Sequence, residues 1–210
     1  MNNKTLTLNQ IINLIQKEAE LNKIPHERLA LLNTVVNYIQ EKVTANKIVN
    51  LNFICTHNSR RSQLSQVWAQ IMGNFFHINC NCFSGGVEVT AFNYRAVNTL
   101  INQGFNIQFE ATNNPIYNIT TKDSKLAVKA FSKLFDDPIN PKENFAAIMT
   151  CSDADENCPF IPGTETRIPL RYIDPKAFDD TNLETEKYLE RSNQIAIEMH
   201  YIFSNIKKTN

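Results

Sequence analysis

The stretch FICTHNSRRS, residues 53–62, places a thiol, Cys55, at the end of an apolar run and brings two arginines and a serine up to it within seven residues. A loop between a strand and a helix N-terminus turns successive backbone N–H groups inward. With the helix dipole these form an anion site. A cysteine opening such a loop has its thiolate stabilised by those N–H groups. Arg61 starts the following helix, and its planar fork matches two oxygens of a tetrahedral oxyanion. Ser62 can donate a hydrogen bond to the sulfur, and Asn58 tolerates the left-handed backbone that a tight loop needs. C-x5-R thus puts a nucleophile under an anion and a cation over it. The bland alternative is a buried cysteine beside solvated arginines, and the strand before and the helix after weigh against it. Two further groups close apolar segments: Cys151 ends NFAAIMTC, and Asp174, followed by Pro175, ends RIPLRYID. Ligands of an open parallel α/β sheet bind at the carboxyl ends of its strands. Two thiols and an acid therefore gather on one edge.

The elements that must hold these groups follow from hydrophobic periodicity. IVNLNFIC reads as a buried strand and SQLSQVWAQIM as the helix after it. FFHINCNCFSGG reads as a second strand ending in a glycine turn. FNYRAVNTLINQGF is a helix with Gly104 near its C-terminal end. YNITT and KLAVKAFSK are strand candidates that can pair as an extra β-hairpin. NFAAIMTC and RIPLRYID are strands, and residues 184–207 have helical periodicity. Alternating strands and helices predict an α/β fold: an open, mostly parallel, doubly wound, four-stranded sheet flanked by helices. Ahead of it, Leu8, Ile11, Ile12, Ile15 and Ala19 share one helical face. Leu29, Leu32, Val36, Ile39 and Val43 share another, with Pro25 in the first turn. The expected division is a helical hairpin over 1–46 and the α/β domain over 47–210. Residues 110–142 either cover the mouth of the site or extend the sheet.

A chain of 210 residues suits one such domain with an appendage. Lys+Arg and Asp+Glu are both 21, so the net charge is zero, unlike the basic balance of a general nucleic-acid binder. MNNKTLTLNQ lacks the apolar core of a signal peptide, and no apolar run is long enough to cross a bilayer. The expectation is a cytoplasmic protein with no nucleic-acid or membrane partner. The cysteines are Cys55, Cys80, Cys82, Cys151 and Cys158, an odd number that argues against a disulfide framework. Cys80 and Cys82 would share one strand face. His77 lies an odd number of residues from both, so packing is favoured over metal binding. No metal or cofactor is expected. Asp153 and Asp155 suit an early helix turn, Trp68 reads as core, and Asp179-Asp180 as a cap for the last helix.

The C-x5-R-S loop together with Asp174-Pro175 resembles the low-molecular-weight protein tyrosine phosphatase family. CSDADENCP, residues 151–159, resembles the redox segment of thioredoxin-coupled arsenate reductases, which share the phosphatase fold. The resemblance spans residues 48–205. It implies a phosphatase-like fold and an oxyanion loop of Thr56, His57, Asn58, Ser59, Arg60, Arg61 and Ser62 that takes arsenate or phosphate. It also implies a thiol relay. Cys55 attacks arsenate, and Asp174 protonates the leaving oxygen. Cys151 then attacks Cys55 and releases arsenite, Cys158 takes over the bond, and thioredoxin reduces the Cys151–Cys158 disulfide. Electron counting agrees with this: two thiols becoming one disulfide supply the two electrons that As(V) requires, whereas a phosphatase needs one thiol. Three departures stand out. His57 replaces a glycine, which would be strained if that position needs positive φ, and otherwise contacts substrate or is simply exposed. Arg60 replaces a cysteine, adding charge beside the anion site or facing solvent. Gln66 replaces a carboxylate, so no potassium site is carried over. Against arsenate reduction stand phosphomonoester hydrolysis, which needs only Cys55, Arg61 and Asp174, and a non-enzymatic anion or redox sensor.

Overall fold

The structure, a computed structural model, describes residues 4–123, 127–157 and 160–208. Four strands form one parallel sheet in the order β2-β1-β6-β7, with β1 at Val49–Cys55, β2 at Cys80–Gly86, β6 at Phe145–Met149 and β7 at Thr164–Ile168. β1 is buried along nearly its whole length, as a central parallel strand must be. Strand period two divides the sheet's side chains. Leu51, Phe53, Ala146 and Ile148 join a large cluster with helices α1 (Leu8–Leu21), α2 (His26–Thr44), α3 (Arg61–Phe75), α4 (Tyr94–Asn102) and α6 (Glu184–Ser204). Ile54, Phe145, Ala147 and Met149 join a smaller cluster with Cys55, Cys151, Ile161 and Ala154 of α5, the short helix Ser152–Asn157. Trp68 lies at the centre of the large cluster, its Nε1–H donating to Ser192 Oγ at 2.9 Å.

The expected β-hairpin is present as β4 (Tyr117–Thr120) and β5 (Val128–Ala130), and a third strand, β3 (Asn106–Gln108), extends it into an antiparallel sheet ordered β3-β4-β5. The first two residues of KLAVKAFSK lie outside the described residues. The sequence pattern misses β3 because three residues are too few to show a period. A parallel bridge from Leu134 to Gly86 ties the chain after β5 to the end of β2.

Several boundaries move for local reasons. Thr7 caps α1, reciprocally with Gln10. Pro25 stands at the N-cap of α2, one residue before the helix, where its extended backbone fits. On α2 the fully buried apolar residues are Leu32, Val35, Tyr38 and Ile39, while Val36 and Val43 pack only partly. FFHI does not begin β2. Phe75 closes α3, and His77 takes φ 54, the left-handed conformation that ends helices, so it is not on the strand at all. β7 stops at Ile168 because Pro169 has no N–H for the ladder. Asp174 therefore lies beyond an irregular segment, as the cap of a 3-10 turn over Pro175–Phe178. Asp179 and Asp180 precede α6 without capping it; its N-cap is Leu183.

Among the described residues no helix is long and apolar enough to cross a membrane.

Candidate active site

Cys55 ends β1, and the chain then loops through residues 56–60 into the N-terminus of α3. The carbonyls of this loop are bonded outward. Cys55 O accepts from Val87 N, Thr56 O from Glu88 N, Ser59 O from Asn93 N and Arg60 O from Leu64 N. His57 O accepts the Thr90 hydroxyl at 3.1 Å and the Ser132 hydroxyl at 3.0 Å. Asn58 O accepts Gln63 Nε2 at 3.0 Å. With the carbonyls taken up, the loop N–H groups face the other way, and none from 56 to 60 donates to an acceptor among the described residues. Such a nest, opening a helix, attracts an anion.

One asparagine holds the curve. Asn58 is fully buried at φ 45, which a side chain other than asparagine, aspartate or glycine adopts at a cost. Its Nδ2 donates to Ser62 Oγ at 2.8 Å, and its Oδ1 accepts Lys133 N at 3.0 Å and Gln63 Nε2 at 3.2 Å. His57 carries no positive φ, so a histidine is accommodated there without backbone strain. Its ring is half-exposed, 3.4 Å from Glu88. Ser62 Oγ lies 3.0 Å from Cys55 Sγ. Because Ser62 already accepts from Asn58, its own proton is free to point at the sulfur, the arrangement that stabilises a thiolate. Gly86 makes the close approach possible: a Cβ there would meet Asn58 N at 2.7 Å and Thr56 O at 2.8 Å.

The structure brings Arg61 and Asp174 together. Arg61 Nη2 donates to Asp174 Oδ2 at 2.7 Å and Nη1 to the Tyr172 carbonyl at 3.2 Å, while Asp174 Oδ1 accepts Lys176 N at 3.0 Å. Arg61 Nε is buried with no acceptor among the described residues, a donor left over beside the unused N–H groups of the loop. Arg60 turns the other way. Its Nε donates to the Tyr188 hydroxyl at 2.7 Å and its Nη2 to Asp179 Oδ2 at 3.2 Å, so its charge is paired on α6 and the loop before it. Ser59 braces the loop, its hydroxyl donating to Ala91 O at 2.7 Å.

Cys151 shares the small buried cluster with Cys55. Thr56 joins the two: it follows Cys55 in the chain, its hydroxyl is 3.5 Å from Cys151 Sγ, and it donates to Asp153 Oδ2 at 2.7 Å. Cys151 Sγ accepts Ala154 N at 3.3 Å, at the start of α5. Asp155, in the same turn, pairs with Arg167 and Arg171. Burial works to raise its carboxyl, but the hydrogen bonds from Arg171 and Arg167 outweigh that and hold it below the usual carboxylate range. Cys158 lies outside the described residues. Cys80 and Cys82 are buried on one face of β2, away from these groups. Among the described residues no three His, Cys, Asp or Glu side chains gather as a metal site.

Sequence reading overlooked the bracing residues Gln63, Ser132, Lys133 and Tyr172, and took Gly86 only as part of the glycine turn that ends the second strand. Of those overlooked, only Gln63 left a trace, as a polar residue directly after C-x5-R-S on a helix that is buried almost all round.

No family model matches the chain. Curated proteins do. The chain is 32% identical over 124 residues to the arsenate reductase of Staphylococcus aureus (strain Newman), covering 59% of this chain and 76% of that protein. It is 29% identical over 146 residues to arsenate reductase 1 of Staphylococcus saprophyticus, covering 65% and 92%. Among solved structures, a low-molecular-weight phosphotyrosine phosphatase from Vibrio cholerae superposes loosely, with a TM-score of 0.49 and 12% identity over 75% of this chain and 95% of that one. A thioredoxin-dependent arsenate reductase from Corynebacterium glutamicum gives a TM-score of 0.42 and 18% identity over 91% and 83%.

Proposed function

The chain belongs to the arsenate reductase family, and we propose that it reduces arsenate to arsenite through a thiol relay. The observation that carries the reading is the placement of two buried thiols on either side of Thr56, one of them under a loop of inward N–H groups. Arsenate enters the nest formed by Thr56, His57, Asn58, Ser59 and Arg60 and takes up the unused Arg61 Nε. The Cys55 thiolate, hydrogen-bonded by Ser62, attacks arsenic. Asp174, held beside Arg61, gives its proton to the departing oxygen, which leaves as water. Cys151 then attacks Cys55 sulfur. The As–S bond breaks, its electron pair stays on arsenic, As(V) becomes As(III), and arsenite leaves behind a Cys55–Cys151 disulfide. Cys158 exchanges with that bond, freeing Cys55 and leaving Cys151–Cys158. An external dithiol protein of the thioredoxin class takes over this last disulfide.

Cys55, Arg61 and Asp174 also make a complete set for phosphomonoester hydrolysis, since none of their contacts depends on Cys151. One experiment separates the two. Reduced protein is mixed with arsenate, without reductant, alkylated rapidly and mapped by mass spectrometry. One arsenite released per chain with a Cys151–Cys158 bridge is the expected result. Free thiols throughout, with hydrolysis of an aryl phosphate through Cys55, would replace reduction with phosphatase activity.

A further inference from the structure

The two N-terminal helices contribute no residue to the loop, yet one of their side chains reaches its supports. Arg28, in the first turn of α2, donates from Nε to Glu198 Oε1 and from Nη2 to Glu198 Oε2, both at 2.9 Å. The pair is largely withdrawn from water, with the side chains 17% and 3% exposed. Glu198 Oε2 also accepts the Tyr172 hydroxyl at 2.8 Å, and the Arg28 guanidinium lies 5.0 Å from the centre of the Tyr172 ring. Tyr172 is thereby held at its hydroxyl and across its ring face. Its backbone makes two bonds in the site: its carbonyl accepts Arg61 Nη1 at 3.2 Å, and its N–H donates to Thr150 O at 3.1 Å, immediately before Cys151. Asp174 follows two residues later.

We propose that Arg28 is a positioning residue for the oxyanion site, setting through Glu198 and Tyr172 where Arg61 and Asp174 stand. The segment from Leu170 to Asp174 has no ladder of its own beyond β7, so nothing in regular secondary structure fixes it. A buried ion pair is a poor source of stability, since apolar residues of the same volume do as well, but it imposes one geometry on its partners. Misplacing a binding group by about 1 Å can cost on the order of 100-fold in rate. The inference rests on the reading of the Cys55 loop as an oxyanion site.

Phosphate binding tests it without turnover. The rate at which iodoacetamide alkylates Cys55, followed by peptide mass spectrometry across phosphate concentrations, yields the Kd. Two variants are used. Arg28→Met with Glu198→Met removes the pair together and strands no lone charge, and Tyr172→Phe removes only the hydroxyl. The expected result is a Kd raised about tenfold in each, read as the ratio of alkylation rates with and without phosphate for the same variant. In an Arg61→Ala background neither change should weaken binding further, because the route runs through Arg61. Wild-type Kd in both variants, with protection lost in Arg61→Ala alone, would overturn the proposal, as would an undiminished loss in the Arg61→Ala background. Failure of phosphate to protect Cys55 in the unaltered protein would instead remove the oxyanion reading, and this inference with it.

Discussion

Replacing Asn58 tests the bracing of the loop most directly. Asn58→Ala leaves the buried Lys133 N–H without its acceptor, at a cost of about 2 kcal/mol. It removes the donor that holds Ser62, a net loss of about 1 kcal/mol. It also places an alanine at φ 45, which costs about 1 kcal/mol. The sum is about 4 kcal/mol, a large part of the roughly 5–15 kcal/mol that holds a folded domain together. Asn58→Gly loses the same side-chain bonds but accepts the left-handed backbone freely, so it should cost about 3 kcal/mol. Urea unfolding followed by circular dichroism measures both variants, with the slope checked for two-state behaviour. The sharp quantity is the difference of about 1 kcal/mol in favour of glycine, since the lost contacts cancel in it. If alanine is no worse than glycine, the backbone at residue 58 is not left-handed. If both variants fall within about 1 kcal/mol of the unaltered chain, the buried hydrogen bonds do not hold the loop and the bracing argument fails.

Gly86→Ala should unfold the loop from below, since its Cβ would meet three backbone atoms within 2.8 Å; loss of phosphate protection at Cys55 and a fall of about 1–3 kcal/mol in urea unfolding are expected. Asp174→Asn should slow formation of the first Cys55–arsenate adduct by about 100-fold or more in rapid-mixing experiments, while alkylation of Cys55 by iodoacetamide stays close to normal. Burial pushes the Lys133 ammonium down to about 8, from 10.5 when unfolded, and Asp137 only partly opposes this. Between about pH 8 and 10.5 the unfolded chain therefore binds more protons, so Lys133 makes stability rise with pH across that window. The difference in urea midpoint between the unaltered chain and Lys133→Met should move in favour of the unaltered chain as pH rises over the same range, because the tyrosines and Cys82 that burial holds protonated act equally in both. Trp68→Phe leaves Ser192 without its indole donor in the core and should cost about 1–3 kcal/mol by the same unfolding assay.

Cys55, Arg61 and Ser62 are legible from the sequence because one short segment carries them all, and the backbone geometry of a strand, loop and helix leaves little choice in where they point. The same holds for Cys151, which stands two residues beyond an apolar strand that ends at Met149, and for Trp68 among its apolar neighbours. Local chemistry also accounts for Gly104, whose φ of 99 ends the α4 segment as a glycine should. Other features depend on residues far apart in the chain. Arg60 and Arg61 are adjacent and identical in type, and only the arrival of Tyr188 and Asp179 from more than a hundred residues away turns one guanidinium outward while Tyr172 and Asp174 draw the other in. Asn58 suits a tight loop by its residue type and bonds Ser62 and Gln63 close by, but the N–H of Lys133 meets its Oδ1 only because the chain after β5 carries it there. Arg28 shows no sign of function in an amphipathic helix; its meaning comes from Glu198 and Tyr172. Hydrophobic period and turn chemistry act over a few residues and can be read along the chain. The pairing of buried charges and hydrogen bonds is settled only when the packed core chooses which distant side chains meet, because a polar group withdrawn from water must take whatever partner the fold brings to it.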